Sequence, residues 1–150
     1  MSTRLPNSSA PGARDSLAIL LREPFRVGTE VLHERFAERG HPEIRPPHGN
    51  VMQFLDDAGT RVSVLADRAQ ITKQSMAELV LHLERLGYVE RVPDPSDRRA
   101  KLVRATPKGR QLYAIAREVV AEIEADWTKR LGKTKMRQLR ALLAELNAAL

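Results

Sequence analysis

Hydrophobic positions between Arg61 and Gly109 follow two different periods along the chain. Ser63 is a predicted helix N-cap, and the apolar run behind it makes about two helical turns before it stops near Gln70. Thr72 is predicted to cap a second helix, which Gly87 ends. The apolar positions of this second helix recur at steps of three and four, as one buried face requires: Met76, Leu79, Val80, Leu83 and Leu86. Two helices joined by a tight turn are therefore predicted.

The period changes after Gly87. Residues 88–92 and 100–105 are short segments in which β-branched residues alternate with charged ones, and the PDPSDRR between them is rich in turn formers. This pattern predicts a β-hairpin. A helix-turn-helix followed by a hairpin is a winged helix, in which the second helix can enter the DNA major groove and the hairpin can reach the flanking backbone or minor groove.

The segments before the winged helix are also predicted to be helical. Because Pro24 has no backbone N–H, either a helix begins near it or a longer helix kinks there. We favour a helix over residues 24–38, preceded by a short helical piece. Pro47 is predicted to begin a helix that runs to about Ala58, and residues 60–62 are candidates for a third, very short strand beside the hairpin.

The C-terminal third predicts two more helices. Thr106 caps a helix of about 25 residues that Pro107 begins and Gly132 interrupts, and Thr134 caps the last helix. Each of these two helices carries an apolar stripe that must pack against another part of the protein. Together with the first helix they suggest a helical bundle between two subunits, and a bundle within one chain is the alternative. The predicted fold class is mainly α with a small β-wing.

Length and composition fit one domain. The 150 residues are 42% hydrophobic, and residues 1–14 have the composition of a disordered arm. Residues 15–150 would form a single domain, with the winged helix at 47–106 and dimerisation helices at 15–39 and 107–150. No apolar run of about 18 residues and no secretion signal is present, so we expect a cytoplasmic protein without a membrane partner. The absence of cysteine excludes thiol chemistry.

The positive charge is concentrated on the winged-helix segment. Residues 61–110 hold 11 Lys or Arg against 6 Asp or Glu, a net charge of +5, whereas the other hundred residues hold 14 against 13. Such a concentration is an electrostatic footprint for nucleic-acid phosphates. A solvated basic surface is the simpler alternative.

The segment LADRAQITKQSMAELVLHLERLGYVERVPDPSDRRAKLVRATPKG resembles the winged helix of the MarR family of bacterial transcription regulators. Most specific is DPSDRRAKLVRATPKG, which is similar to the family's Asp-x-Arg in the hairpin, a short strand, and Thr-Pro-x-Gly opening the next helix. The resemblance implies a homodimer joined by its terminal helices. It also implies a regulator, typically a repressor, that releases DNA when a small phenolic or lipophilic ligand binds between those helices and the DNA-binding lobe.

Candidate DNA-contacting residues lie on the outward face of the second helix. Gln74 suits adenine, Ala77 a thymine methyl and Glu78 a cytosine amino group, although Glu78 can equally be a solvated residue. At the N-terminus of this helix, exposed amides and hydroxyls favour a phosphate. The other candidates on the two helices are Ser63, Thr72, Lys73, Ser75 and Arg85.

The wing turn holds the remaining DNA-binding candidates. By the resemblance, Asp97 braces Arg99 through a charge-assisted bond, and Arg99 inserts into a narrow minor groove. Arg98 and Lys101 would meet phosphates. Without DNA, the Asp97–Arg99 contact would be a surface ion pair contributing roughly 0 to 1 kcal/mol.

The resemblance places a ligand pocket among five candidate residues: Phe25, Phe36, His48, Met52 and Tyr113. No catalytic motif is present, so we do not expect an enzyme, and we expect no cofactor. His41 and His48 flank a Pro-rich loop, yet no spacing around them supports a metal site, and we expect none. The function predicted is a sequence-specific DNA-binding regulator that recognises a pseudo-palindromic operator. The alternatives are a protein-interaction winged helix and an architectural DNA binder without sequence preference.

Overall fold

The computed structural model describes residues 16–150, so the predicted disordered arm lies outside the described residues. The elements, in chain order, are α1 (Leu17–Glu38), a 3₁₀ turn (Pro46–His48), α2 (Gly49–Met52), α3 (Val62–Ala69), α4 (Lys73–Arg85), β1 (Val89–Asp94), β2 (Asp97–Ala105), α5 (Pro107–Leu131) and α6 (Lys133–Ala148). The predicted fold class, mainly helical with a small β-wing, is confirmed. Between residues 16 and 150, no helix is long and apolar enough to cross a membrane.

The core lies where α2, α3, α4, the hairpin and the first half of α5 meet. Its fully buried side chains come from every one of these elements: Val51, Leu65, Met76, Val80, Leu83, Tyr88, Val89, Val103 and Val119. Each apolar side chain of this size contributes about 1.5 to 3 kcal/mol through burial. The winged helix and α5 therefore share one core, which holds α4 and the hairpin in a fixed relation.

The helix-turn-helix follows the predicted pattern with one correction. The N-cap of α3 is Arg61, and Ser63 lies inside the helix. The shift arises because Thr60 forms a β-bridge with Val103, so the backbone stays extended through Arg61 before it turns helical. This bridge is also what remains of the predicted third strand. Thr72 caps α4 as predicted, since its Oγ1 accepts the Ser75 N–H at 3.1 Å.

Two predictions ahead of the winged helix need correction. The first helix is continuous from Leu17 to Glu38 and contains Pro24, whose surroundings on α1 are exposed, so water can satisfy the carbonyl that proline leaves free. The helix predicted to run to Ala58 ends at Met52. It ends early because tertiary contacts turn the chain there: Arg68 donates to the Phe54 carbonyl at 2.8 Å.

The long helix α5 packs back on α1, and α6 packs against α5. Thr106 caps α5, which is 25 residues long as predicted, by accepting the Gly109 N–H at 3.1 Å. The last helix begins at Lys133 directly after Gly132, whose φ of 88° redirects the chain, so Thr134 lies inside the helix and does not cap it. Arg35 of α1 forms an ion pair with Glu122 of α5 at 3.2 Å.

Candidate nucleic-acid interface

The two faces of α4 differ in burial in the way the sequence pattern predicts. Met76, Val80 and Leu83 are buried, while Leu79 and Leu86 are half-buried. On the opposite face the structure places most of the predicted base-contacting side chains in solvent: Gln74, Glu78 and Arg85 are exposed, and Ala77 is half-buried. The helix thus presents a polar face with hydrogen-bonding groups of the kind that read base edges.

The N-terminus of α4 brings together the predicted phosphate-contacting residues. Thr72, Lys73 and Ser75 are all exposed. The two hydroxyls already serve the cap, because Thr72 Oγ1 donates to Ser75 Oγ at 2.9 Å and accepts the Ser75 N–H. Lys73 pairs with no carboxylate in the part of the chain that the structure describes, and it lies beside backbone N–H groups that also favour an anion.

In the wing, the structure corrects the predicted brace. Asp97 Oδ1 accepts the backbone N–H of Arg99 at 3.0 Å, rather than a bond from its guanidinium. The cation beside the Asp97 carboxylate is Arg61, whose Nη2 lies 3.8 Å from Asp97 Oδ2. Arg98, Arg99 and Lys101 are exposed. The Arg99 side chain is therefore free of Asp97 in this structure.

The basic residues of the winged helix divide into paired and unpaired groups. Five basic residues have carboxylate partners: Arg61 with Asp94, Arg68 with Asp56, Arg91 with Glu84, Arg104 with Glu90, and Lys108 with Glu43. Arg110 of α5 donates to the Ala105 carbonyl. Within residues 16–150, no carboxylate forms an ion pair with the five other cations, which lie on α4 and the distal part of β2: Lys73, Arg85, Arg98, Arg99 and Lys101. Positive charge without an internal partner thus collects on the two elements that a winged helix directs toward DNA.

Sequence reasoning missed the contact between Arg61 and Asp94. Arg61 Nε donates to Asp94 Oδ2 at 2.7 Å, and the Asp94 side chain is 6% exposed. The Ser96 hydroxyl and N–H, together with Arg61, lower the pKa of Asp94 to about 2. The Asp-Pro-Ser sequence was an available signal for the Asx turn that Asp94 forms with Ser96, but nothing local indicates Arg61 as its partner.

Ser63, predicted to contact DNA, is half-buried within α3.

A cleft of about 950 Å³ separates α5 from the segment between α2 and α3. Met52 and Tyr113, two of the five predicted pocket residues, line it, and the Tyr113 hydroxyl donates to the Met52 carbonyl at 2.6 Å. Burial raises the pKa of Tyr113 to about 12, so the hydroxyl remains a donor at neutral pH. Phe36 and His48 are buried away from the cleft, and Phe25 is 75% exposed on α1.

The histidines near the Pro-rich loop have protein partners. His41 Nδ1 lies 2.8 Å from the Tyr88 hydroxyl, and His48 Nε2 lies 2.9 Å from His82 Nδ1. In the portion of the chain that the structure describes, no group of three or more metal-binding side chains comes together.

Comparison with known proteins agrees with this architecture. A model of the MarR family matches residues 44–100. The transcriptional regulator HosA of Escherichia coli O111:H- is 27% identical over 116 residues, which cover 75% of this chain and 86% of HosA. A MarR transcriptional regulator from Methanosarcina mazei Go1 shares the fold, with a TM-score of 0.73 at 21% identity over 89% of this chain and 94% of the other. CouR from Rhodococcus jostii RHA1, solved bound to p-coumaroyl-CoA, has a TM-score of 0.67 and 25% identity over 88% and 92% of the two chains.

The fold, its exposed basic elements and these similarities define a winged helix-turn-helix protein of the DNA-binding class that regulates transcription. A regulator of this class acts by binding, and the relatives are regulators rather than enzymes. A model of the MarR family matches the winged-helix segment, and the chain is similar to transcriptional regulators of that family.

Proposed function

We propose that the chain is a ligand-responsive repressor that binds a pseudo-palindromic operator as a homodimer. In this proposal α4 lies in the major groove, where Gln74, Ala77 and Glu78 read base edges. The guanidinium of Arg99 enters the flanking minor groove, and Arg98 and Lys101 contact phosphates.

The observation that carries the proposal is the group of five cations on α4 and β2 that form no ion pair with any carboxylate of residues 16–150. An unpaired arginine or lysine on a surface adds little to the stability of the folded chain. When such a cation contacts a DNA phosphate, counterions are released from the DNA, and the affinity of the protein for DNA increases. Two copies of the motif would neutralise about 6 to 10 phosphates, so raising the salt from 50 to 200 mM should lower the affinity by roughly 10³ to 10⁵.

Exposed apolar residues on the terminal helices support the homodimer. Leu17, Leu20 and Phe25 of α1 and Leu142 of α6 are largely exposed in a single chain. Contiguous exposed apolar surface is typical of protein–protein contacts. A symmetric dimer would set two copies of α4 about 34 to 36 Å apart, one turn of DNA, which is why the operator should be a pseudo-palindrome.

The cleft beside α5 supports a ligand-responsive regulator. It lies between the winged-helix lobe and a helix of the proposed dimer interface, and Tyr113 offers an aromatic ring and a hydroxyl oxygen that can accept a hydrogen bond while its hydrogen is donated to Met52. The ligand bound to CouR contains an aromatic acyl group. A small phenolic or other lipophilic compound is therefore our proposed effector. It would act by binding more tightly to the dimer geometry that does not fit the operator.

The test is selection of genomic DNA fragments by the purified protein at near-physiological salt, with Arg99→Ala in parallel. Arg130→Ala is the matched control, because it removes one exposed cation at the far end of α5, where Arg130 pairs with Asp126. We expect the wild type and the control to recover one inverted repeat, and Arg99→Ala to lose it.

The other functions predict different results. An architectural DNA binder would recover fragments without sequence preference, and a protein-interaction module would recover none. A salt-independent affinity would also contradict the proposed phosphate contacts.

A further inference from the structure

We infer that Arg61 is a positioning residue for the wing, acting through Asp94 and Asp97 and not by touching DNA itself. The inference rests on the proposed function, since it concerns how the wing is held for binding. Arg61 is the N-cap of α3, and Asp94 ends β1, so the contact between them joins the first helix of the helix-turn-helix to the turn of the hairpin.

The hairpin needs such a contact because its backbone ladder is interrupted next to the turn. The strands pair regularly from Val89 with Ala105 to Pro93 with Lys101, and the register then shifts between Pro93 and Asp94. Proline also has no N–H to give to the ladder. Backbone pairing therefore holds the outer part of the wing less firmly than its base, and side chains have to fix it.

Asp94 is the side chain at that position. Its Oδ1 accepts the Ser96 N–H at 2.8 Å and the Ser96 hydroxyl at 2.7 Å, which shapes the turn. Its Oδ2 accepts from Arg61 Nε at 2.7 Å. A buried carboxylate without a cation would be costly, so the turn and the position of Arg61 depend on each other.

The contacts continue to the residue proposed to enter the minor groove. Arg61 Nη2 lies 3.8 Å from the Asp97 carboxylate, and Asp97 Oδ1 accepts the Arg99 backbone N–H at 3.0 Å. Arg61 thereby fixes two carboxylates, and one of them fixes the backbone from which the Arg99 side chain extends. The guanidinium of Arg61 is used inside the protein, whereas that of Arg99 is free to bind.

The test compares Arg61→Ala, Arg61→Lys, Asp94→Asn and the double variant Arg61→Ala/Asp94→Asn, using the inverted repeat recovered by the wild type. Arg68→Ala is the matched control. It removes an exposed arginine from the same helix, and the partners of Arg68, Asp56 and the Phe54 carbonyl, lie away from the wing. Each variant is measured for operator affinity, for hydroxyl-radical protection of the minor groove flanks, for protection of major-groove guanines, and for its thermal unfolding midpoint.

Asp94→Asn is the decisive variant, because it keeps the Arg61 charge and removes only the carboxylate that fixes it. We expect Arg61→Ala and Asp94→Asn each to weaken operator binding by about tenfold, and the double variant to be no weaker than either. Minor-groove protection should be lost while major-groove protection remains. Arg61→Lys should recover part of the affinity, and Arg68→Ala should bind nearly as the wild type does.

Two outcomes would overturn the inference, and a third would overturn the proposed function on which it rests. If Asp94→Asn binds as tightly as the wild type while Arg61→Ala does not, Arg61 contacts phosphate directly. If both grooves lose protection together with a collapse of the unfolding midpoint, the contact supports the whole fold rather than the wing. If the wild type itself shows no sequence preference, the proposed function fails first, and that failure is visible without any variant.

Discussion

His48 Nε2 lies 2.9 Å from His82 Nδ1, and this contact joins the 3₁₀ turn before α2 to helix α4. The backbone N–H of Arg45 donates to His48 Nδ1 at 2.9 Å, so the remaining hydrogen of the neutral His48 ring is on Nε2 and points at His82. The pair is therefore satisfied only while His48 is neutral. Protonation of His48 would place a hydrogen on Nδ1, which then could not accept the Arg45 N–H.

The His48 contact predicts that stability falls in mild acid. Burial lowers the pKa of His48 below its usual 6.5, and the neighbouring His82, His33 and Arg45 add to the effect. Below about pH 6.5 the unfolded chain thus binds a proton that the folded chain resists, so stability decreases as the pH falls from there toward the lower folded pKa. Urea unfolding between about pH 5.5 and 7.5 should show stability rising with pH. In His48→Gln this slope should be smaller, and an unchanged slope would exclude His48 as its source.

A second prediction concerns the hydrogen bonds of Tyr88, whose side chain is fully buried at the start of the hairpin. Its hydroxyl donates to Glu43 at 2.8 Å and lies 2.8 Å from His41 Nδ1, which is also buried. Tyr88→Phe removes the hydroxyl and leaves His41 without this partner, so we expect a loss of about 1 to 3 kcal/mol in the free energy of unfolding. Denaturant unfolding measures it. Arg104→Ala, which breaks the exposed pair with Glu90, should cost less than about 1 kcal/mol, and equal losses would contradict the argument.

Features governed by neighbouring residues were predictable from the sequence. The caps of α4 and α5 each depend on a threonine and an N–H three residues ahead, so Thr72 and Thr106 were identified correctly. Gly87, with a φ of 80°, follows the C-cap of α4 as the pattern predicts.

Features governed by distant contacts were not predictable. The start of α3 depends on the bridge between Thr60 and Val103, and the end of α2 on the bond from Arg68 to Phe54. The role of Arg61 also depends on a distant contact, because its partner Asp94 is 33 residues away along the chain. The resemblance predicts that Asp97 pairs with Arg99, whereas the fold places Arg61 beside the Asp97 carboxylate.

The first turn of α5 has room only for glycine at position 109. A Cβ built on Gly109 would lie 2.1 Å from the Tyr88 carbonyl oxygen, because the first turn of α5 packs directly against the base of the hairpin. Gly109→Ala should therefore destabilise the chain by at least about 1 to 3 kcal/mol in urea unfolding. Gly49 is the matched control: it begins α2 at a φ of −57°, and no atom lies within 4 Å of a Cβ there. Gly49→Ala should stabilise by roughly 0.4 to 1 kcal/mol, and the same sign for both variants would refute the packing explanation.

The last prediction separates a dimer from a bundle within one chain. Leu142 on α6 is 64% exposed in the single chain, so its apolar side chain lacks a full cover unless a second copy provides one. Leu142→Glu should shift the chain from dimer to monomer in sedimentation equilibrium, because the new carboxylate would be buried without a partner in the interface. Leu81→Gln is the control, as it alters an exposed leucine of α4 on the DNA-binding lobe and should leave the dimer intact. The Leu142→Glu monomer should still bind a half-site weakly but lose the affinity that two linked half-sites provide. If the wild type is monomeric and Leu142→Glu alters neither its mass nor its DNA binding, the stripe on α6 is a solvated face and the operator need not be symmetric.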